Sequence, residues 1–224
     1  MFPCEIDHLT ITAPTLALGA AYVEQTLGVS MQPGGEHPRM GTHNLLLKLG
    51  DALFLEVIAA NPAAARPPRP RWFALDALGA DAAPRLAHWV VRPVRPVVPP
   101  MARTDSIRSA PADCLAAAGI VETMTRGSLQ WLITIPADGT LPLDGAMPAL
   151  IEWQTPQHPG AQLLDSGCTL RGFEVHTSKP QHVRALLDRL ALGTAVKLVA
   201  LSAGEPVRLL AHFDTPHGPR SVGA

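Results

Sequence analysis

Residues 5–28 read EIDHLTITAPTLALGAAYVEQTLG, and this stretch decides the fold. Its first eight residues alternate apolar and polar side chains, which is the pattern of a half-buried β-strand. A helix is predicted from about Thr15 to Leu27, because apolar side chains recur there at helical spacing. Gly28 ends this helix, since glycine tolerates the left-handed backbone of a helix terminus. Short strands predicted at 29–33, 43–49 and 52–58 complete a β-α-β-β-β unit.

The same order of elements returns twice along the chain, as expected of an internal repeat. The second unit contains a short helix that Ser109 caps and Gly119 ends. Its strands are predicted at 87–92, 120–125, 129–135 and 149–153. The third unit contains a helix between Ser178 and Gly193 and is one strand short. Its strands are predicted at 169–176, 196–201 and 206–213.

This pattern favours an α+β fold, because roughly three helices accompany ten or eleven strands and a doubly wound α/β fold needs about one helix per strand. We expect repeated β-α-β-β-β modules whose curved, mixed sheets form a cup, with a third partial module, in a single domain. The predicted division of residues 1–224 is module one at 5–60, a linker at 61–86, module two at 87–154 and a partial module three at 169–215. The missing strand would leave a sheet edge that is covered either by another part of the chain or by a second copy, and a homodimer is slightly favoured.

Composition excludes several classes of protein. The net charge is −1 from 18 basic and 19 acidic side chains, so nucleic acid is a poor candidate partner. Apolar residues make up 47% of the chain, but no apolar run approaches the roughly 20 residues of a membrane helix. Cys4, Cys114 and Cys168 form no CxxC pair, and no signal peptide is visible, so a cytoplasmic protein is expected. Proline clusters at 62–70 and 93–100 predict connections.

Five stretches carry a resemblance to a known family. They are IDHL at 6–9, GGEHP at 34–38 with GTHN at 41–44, FLEVI at 54–58, LIEW at 150–153 and TPHG at 215–218. Together they resemble the glyoxalase-like domain proteins of the vicinal-oxygen-chelate superfamily, and the second stretch is the most specific of them. The resemblance covers nearly the whole chain. It implies two β-α-β-β-β modules that form a cup around a small-molecule site.

The repeat pairs four residues that could carry chemistry. His8 lies in the first strand of module one and Glu56 in its last strand, while His88 and Glu152 hold these places in module two. A pseudo-twofold axis between the modules would bring two imidazoles and two carboxylates together, and this donor set suits an octahedral divalent ion. Both glutamates also interrupt apolar strands, where an ionised carboxylate is costly unless it is paired or metal-bound. The alternative is that each glutamate faces water or meets an arginine.

In metal-dependent glyoxalases the ligands occupy these same strands, so the resemblance implies a metal site at His8, Glu56, His88 and Glu152. The divalent ion would be nickel, cobalt, manganese, zinc or iron, and it would chelate two neighbouring oxygens of a small substrate. Glu56 or Glu152 would be the catalytic base that moves the proton through an enediolate-type intermediate. The implied function is a metal-dependent lyase or isomerase.

Two residues of the most specific motif, His37 and Asn44, are expected at the mouth of the cup, where they would bind substrate. Two other functions remain open. One is a metal-free protein of the same fold that sequesters a small molecule. The other is an extradiol-type dioxygenase in which His8, His88 and Glu152 bind iron. The metal content of the purified protein would separate the two.

Overall fold

The structure is a computed structural model that describes residues 1–94 and 106–223. The part of the proline cluster from position 95 to position 100 lies outside these residues. Eight strands form one sheet: β1 (Cys4–Thr12), β2 (Gln32–His37), β3 (Thr42–Gly50), β4 (Leu53–Ala60), β5 (Arg85–Pro93), β6 (Ile120–Arg126), β7 (Leu129–Ile135) and β8 (Ala149–Trp153). Four form another: β9 (Thr169–Thr177), β10 (Lys197–Ala200), β11 (Arg208–Thr215) and β12 (Gly218–Val222). The helices are α1 (Leu16–Leu27), α2 (Ala112–Ala118) and α3 (Pro180–Arg189).

The eight-stranded sheet confirms the α+β class and the repeated modules. Its order is β2-β3-β4-β1-β5-β8-β7-β6, so each half contains one β-α-β-β-β unit. In both halves the first strand pairs in parallel with the last, β1 with β4 and β5 with β8. The halves meet where β1 runs antiparallel to β5. This register pairs His8 with Val90 and Thr10 with His88. The two halves are therefore related by a pseudo-twofold axis between β1 and β5.

The helix ends follow the predicted glycines in two of three cases. Thr15 caps α1 by accepting the Leu18 N–H, and Gly28 ends it at φ 75°. Gly119 ends α2 at φ 107°, but Ser109 does not cap that helix because it closes a separate 3-10 turn. The third helix ends before the predicted Gly193, at Arg189. The backbone has already left the helical conformation by Ala191, where φ is 55°.

The third unit differs from the two modules. Its strands lie in the order β10-β9-β11-β12, so its first strand is not paired with its last. The expectation that this unit lacks a strand is wrong, because β12 pairs antiparallel with β11. Its sequence, GPRSV at 218–222, contains glycine and proline, which predict a turn rather than a strand. The argument for a homodimer from a missing strand therefore no longer applies, and the homodimer stays a prediction.

The two faces of the eight-stranded sheet contact different groups. One face packs against the helices and the third unit through a large apolar cluster that includes Leu9, Val57, Trp89 and Phe173. The other face is concave and holds a second apolar cluster, which is covered by the connection between β4 and β5. Paired residues share a face, so Thr10, Glu56 and His88 all lie on the concave side. Within 1–94 and 106–223, no helix has the length and hydropathy to cross a bilayer.

Candidate functional site

A narrow cavity of about 30 Å³ lies on the concave face between the two modules. Its polar lining consists of His8, His37, Asn44, Glu56 and Arg126. Its aromatic lining consists of Phe54, Trp72, Phe73, Trp131 and Trp153. A few polar groups within apolar walls are the usual make-up of a small-molecule site. The cavity is thus the candidate functional site.

His8 is held at the floor of this cavity by its neighbour in sequence. Its Nδ1 atom lies 2.6 Å from Oδ1 of Asp7, and its ring stacks on Phe54 with the centroids 4.5 Å apart. Burial alone would raise the pKa of Asp7, but hydrogen bonds from His158 and His8 outweigh burial and lower this pKa below its ordinary value. Asp7 is therefore ionised and can only accept hydrogen bonds, so Nδ1 of His8 carries the proton between them.

Asp7 is fully buried and collects four side chains. Besides His8, it accepts hydrogen bonds from Nε1 of Trp153 at 2.9 Å and from Arg92 at 3.3 Å. Nδ1 of His158 accepts the Gly160 N–H, so its Nε2 atom carries the proton donated to Asp7 at 3.0 Å. The register of β1 shifts between Ile6 and His8, which makes Asp7 the residue of a β-bulge. The bulge breaks the strict alternation of side chains and lets Asp7 and His8 interact.

Glu56 is the carboxylate of the cavity. Its Oε1 atom accepts a hydrogen bond from Nδ2 of Asn44 at 2.6 Å, and its Oε2 atom accepts one from the Thr10 hydroxyl at 3.2 Å. Oε2 also lies 3.9 Å from Nε2 of His8. Only 5% of Glu56 is exposed, so these contacts fix the carboxylate and meet part of its hydrogen-bonding demand. The structure thus joins His8, Asn44 and Glu56 as neighbours.

Arg126 and His37 occupy one side of the cavity. An Nη1 hydrogen of Arg126 is directed to Oδ1 of Asn44 at 3.1 Å, and the same atom lies 3.4 Å from Nε2 of His37. Nδ1 of His37 lies 3.1 Å from the Thr42 hydroxyl. Burial, with a further effect of Arg126, lowers the pKa of His37 to about 3, so this ring is neutral near pH 7. Arg126 forms no ion pair within the described part of the chain.

His88 lies on the same concave face but outside the cavity lining. Its ring contacts Phe73, with the centroids 4.9 Å apart. Neither of its ring nitrogens has a hydrogen-bond partner among residues 1–94 and 106–223, although only 1% of the residue is exposed. Burial, assisted by the charge of His8, lowers the pKa of His88 to about 3. His88 is thus a neutral imidazole that is buried beside the site.

Glu152 does not join the other three predicted residues, which corrects the expectation that four ligands converge. Its neighbours Ile151 and Trp153 line the cavity, so Glu152 points to the opposite face of β8. There its carboxylate accepts hydrogen bonds from the Ser106 hydroxyl at 2.7 Å and the Ile107 N–H at 3.1 Å. These bonds meet part of the hydrogen-bonding demand of the half-buried carboxylate.

The register explains this difference. Glu56 is paired with Thr10 and lies on the concave face of the sheet. On β8 the side chains on this face are those of Ile151 and Trp153, so Glu152 between them is not the counterpart of Glu56 in module two. A shift of one residue moves a side chain to the other face of a strand.

The predicted metal site can be tested against this geometry. Of its four residues, only His8 and Glu56 approach each other in the cavity. Across the described ranges 1–94 and 106–223, no three His, Cys, Asp or Glu side chains are grouped so that they could hold an ion. The donor set therefore does not fit the octahedral site implied by the resemblance. His37 and Asn44 both line the cavity, as a role in substrate binding requires.

Comparisons with known proteins agree with this architecture. A family described as a glyoxalase-like domain matches residues 6–191. A hypothetical protein from Staphylococcus aureus is similar in structure, with a TM-score of 0.51 at 11% identity, over 84% of this chain and 75% of that one. At this identity the likeness concerns the fold alone. No curated protein matches the sequence significantly.

Two further solved structures are similar at lower TM-scores. One is a variant of methylmalonyl-CoA epimerase from Streptomyces coelicolor in complex with 2-nitronate-propionyl-CoA, at 16% identity and a TM-score of 0.42, over 69% of this chain and all of that one. The other is a mutant of 4-hydroxymandelate synthase from the same organism, at 12% identity and a TM-score of 0.44, over 100% of this chain and 63% of that one. With the family match over most of its length, the chain belongs to the glyoxalase-like domain family.

Proposed function

We propose that this protein is an isomerase or lyase that moves a proton on a small oxygenated molecule, with Glu56 as the base and His8 as its acid–base partner. The observation that carries the proposal is the approach of Nε2 of His8 to within 3.9 Å of Oε2 of Glu56 in a narrow cavity. One substrate oxygen can lie within hydrogen-bonding reach, about 2.8 Å, of both atoms. A carbon next to that oxygen then lies beside the carboxylate.

The role of Glu56 follows from its surroundings. Thr10 and Asn44 hold the carboxylate in one orientation, and its burial keeps water from competing for the proton. It would remove a proton from the carbon next to a carbonyl group, and the electron pair of that C–H bond would move onto the oxygen. In its imidazolium form, whose charge Asp7 balances, His8 would give its Nε2 proton to that oxygen, and it would take this proton back when Glu56 returns its own proton to carbon.

Arg126 would stabilise the negative charge that develops on the substrate. It is a cavity cation whose contacts there, Asn44 and His37, are both neutral acceptors. A cation placed beforehand in a site of low dielectric stabilises a developing oxyanion far more than water does. We assign substrate positioning to His37 and Asn44, because both side chains contact Arg126 and line the cavity.

A deuterium-exchange experiment tests this function. The protein is incubated in D₂O with a panel of small 2-hydroxyketones, 2-oxoacids and 2-hydroxyacids, and loss of the adjacent C–H signal is followed by proton NMR. We expect exchange with at least one compound, slowed about 10²- to 10⁴-fold in Glu56→Gln. Parallel samples with EDTA and with added Mn²⁺, Ni²⁺ or Zn²⁺ show whether an ion contributes. Binding of these compounds without exchange in any sample would contradict the proposal and favour a sequestering protein.

A further inference from the structure

The cavity as it stands is too small for any substrate. Its volume of about 30 Å³ accommodates about one or two water molecules. Trp72 and Phe73, from the connection between β4 and β5, form part of its wall, and their rings stack with centroids 5.2 Å apart. A segment of the wall must therefore move before a small molecule can bind.

Residues 72–74, which we call the plug segment, have the strained backbone expected of a wall segment that moves. Phe73 and Ala74 have φ angles of 58° and 54°, in the left-handed region that residues other than glycine rarely adopt. Two successive strained residues persist only where their surroundings hold them. A backbone hydrogen bond from the Ala74 N–H to the Gly139 carbonyl, at 2.8 Å, connects this segment to the loop after β7.

At Phe73 the plug segment contacts buried polar groups that have no hydrogen-bond partner within residues 1–94 and 106–223. The Phe73 ring lies 4.9 Å from the ring of His88. Within 1–94 and 106–223, Nδ1 and Nε2 of His88 and Nε1 of Trp72 are buried without a hydrogen bond. A buried polar group left unpaired destabilises the fold, and so each such group calls for an explanation. Here three unpaired atoms flank the same phenylalanine.

The geometry points to Phe73 as a displaceable plug: on ligand binding its ring leaves His88, and an oxygen of a small, mainly apolar ligand takes its place and hydrogen-bonds to His88. This deepens the proposed function, since it concerns access to the same cavity. Thr10 lies between His88 and Glu56 on the concave face, because Thr10 is paired with both residues and donates a hydrogen bond to Glu56. A ligand that reaches His88 therefore extends from the proposed base beyond the present lining of the cavity.

The first test removes the Phe73 ring by substitution and measures the binding of a small aromatic probe in its place. Phe73→Gly suits the left-handed backbone and leaves space for phenol or for toluene, which has the same shape without a hydroxyl. Calorimetry should show phenol binding at least tenfold tighter than toluene, because a site with buried polar groups discriminates against an analogue that lacks the hydroxyl. The preference should vanish in Phe73→Gly combined with His88→Leu. Equal binding of both probes by Phe73→Gly, or binding of neither while circular dichroism shows a folded protein, would overturn the inference.

The second test measures opening of the plug segment in the native chain. Diethyl pyrocarbonate modifies neutral histidine, and mass spectrometry follows its reaction with His88. Ala74→Gly relieves the strain of the closed segment and should slow this modification several-fold. Ala191→Gly relieves the same kind of strain after α3, where φ is 55°, and should leave the rate unchanged.

Equal slowing by both variants would mean that His88 reacts only after global unfolding, which would overturn the inference. So would the absence of any modification under conditions where the unfolded chain reacts completely. Neither test measures turnover. Results that contradict the displacement of Phe73 therefore do not contradict the acid–base role of Glu56. Likewise, an absence of deuterium exchange does not contradict the displacement of Phe73.

Discussion

Nε2 of His8 lies 3.9 Å from Oε2 of Glu56, although the two residues come from the first and last strands of module one. They meet because β1 and β4 are adjacent parallel strands, with Thr10 paired to Glu56. In module two, Glu152 is directed away from the cavity and His88 lies outside its lining. The site is therefore asymmetric, with one acid–base pair and one isolated imidazole.

Asp7 should be a main support of this site. Asp7→Asn keeps the volume of the side chain but removes the charge that meets His8, Arg92 and His158, and it should lower the free energy of unfolding by about 3–5 kcal/mol. Urea denaturation followed by fluorescence measures the change. Asp51→Asn is the matched control, because within residues 1–94 and 106–223 that exposed carboxylate pairs only with Lys48, and its loss should not measurably change stability. Equal effects of the two substitutions would contradict the account.

The third unit should contribute to stability in acid. Hydrogen bonds from Lys197, and also from His176 and His212, lower the pKa of Glu174 from 4.5 to about 2. The folded state then binds this proton less readily than the unfolded chain, so Glu174 stabilises the fold above about pH 4.5. This contribution is lost as the pH falls toward about 2.

Melting temperatures measured from pH 2 to pH 7 should accordingly show Glu174→Gln less stable than the natural chain at pH 7 and equal to it near pH 2. Glu24→Gln serves as the control, because Glu24 is exposed and has no ion pair within residues 1–94 and 106–223. A difference between Glu174→Gln and the natural chain that is constant over the whole range would contradict the account.

Gly119 should be required by the fold of module two. Its backbone, with φ 107° and ψ −164°, is accessible almost only to glycine, and an added Cβ would lie 2.4 Å from the carbonyl carbon of Ile135. Gly119→Ala should cost about 3 kcal/mol or more in the free energy of unfolding. Gly127→Ala, in an open turn at φ 56° with no atom near the added Cβ, should cost only about 1 kcal/mol. Denaturant unfolding of both variants separates these values.

The fold could be predicted from the sequence because its signals are local. Gly28 and Gly119 mark helix ends through backbone angles that other residues avoid, and alternation in β1 marks a half-buried strand. By contrast, β12 was missed because its glycine and proline are typical of turns. Pairing with β11 imposes the extended conformation there, and no local pattern indicates that contact.

The site could be predicted only in part. His8 and Glu56 line one cavity, in agreement with their predicted places in the first and last strands of module one, and their role there stays a prediction. The side chain of Glu152 was predicted on the wrong face of β8. Apart from Glu152, both faces of this strand carry apolar residues, so its sequence does not show which face turns to the cavity. Asp7 was missed because strict alternation places it opposite His8, and the β-bulge that changes this depends on pairing with β5.

The central claim is that Glu56, and not Glu152, supplies the carboxylate of the chemistry. The most direct test compares deuterium exchange by Glu56→Gln and Glu152→Gln, using whichever compound the natural protein exchanges. Both substitutions keep the shape of the side chain, and melting curves establish that each variant is folded. We predict a loss of about 10²-fold or more for Glu56→Gln and a rate within a few-fold of the natural protein for Glu152→Gln. An equal loss in both variants, or full activity in Glu56→Gln, would contradict the account.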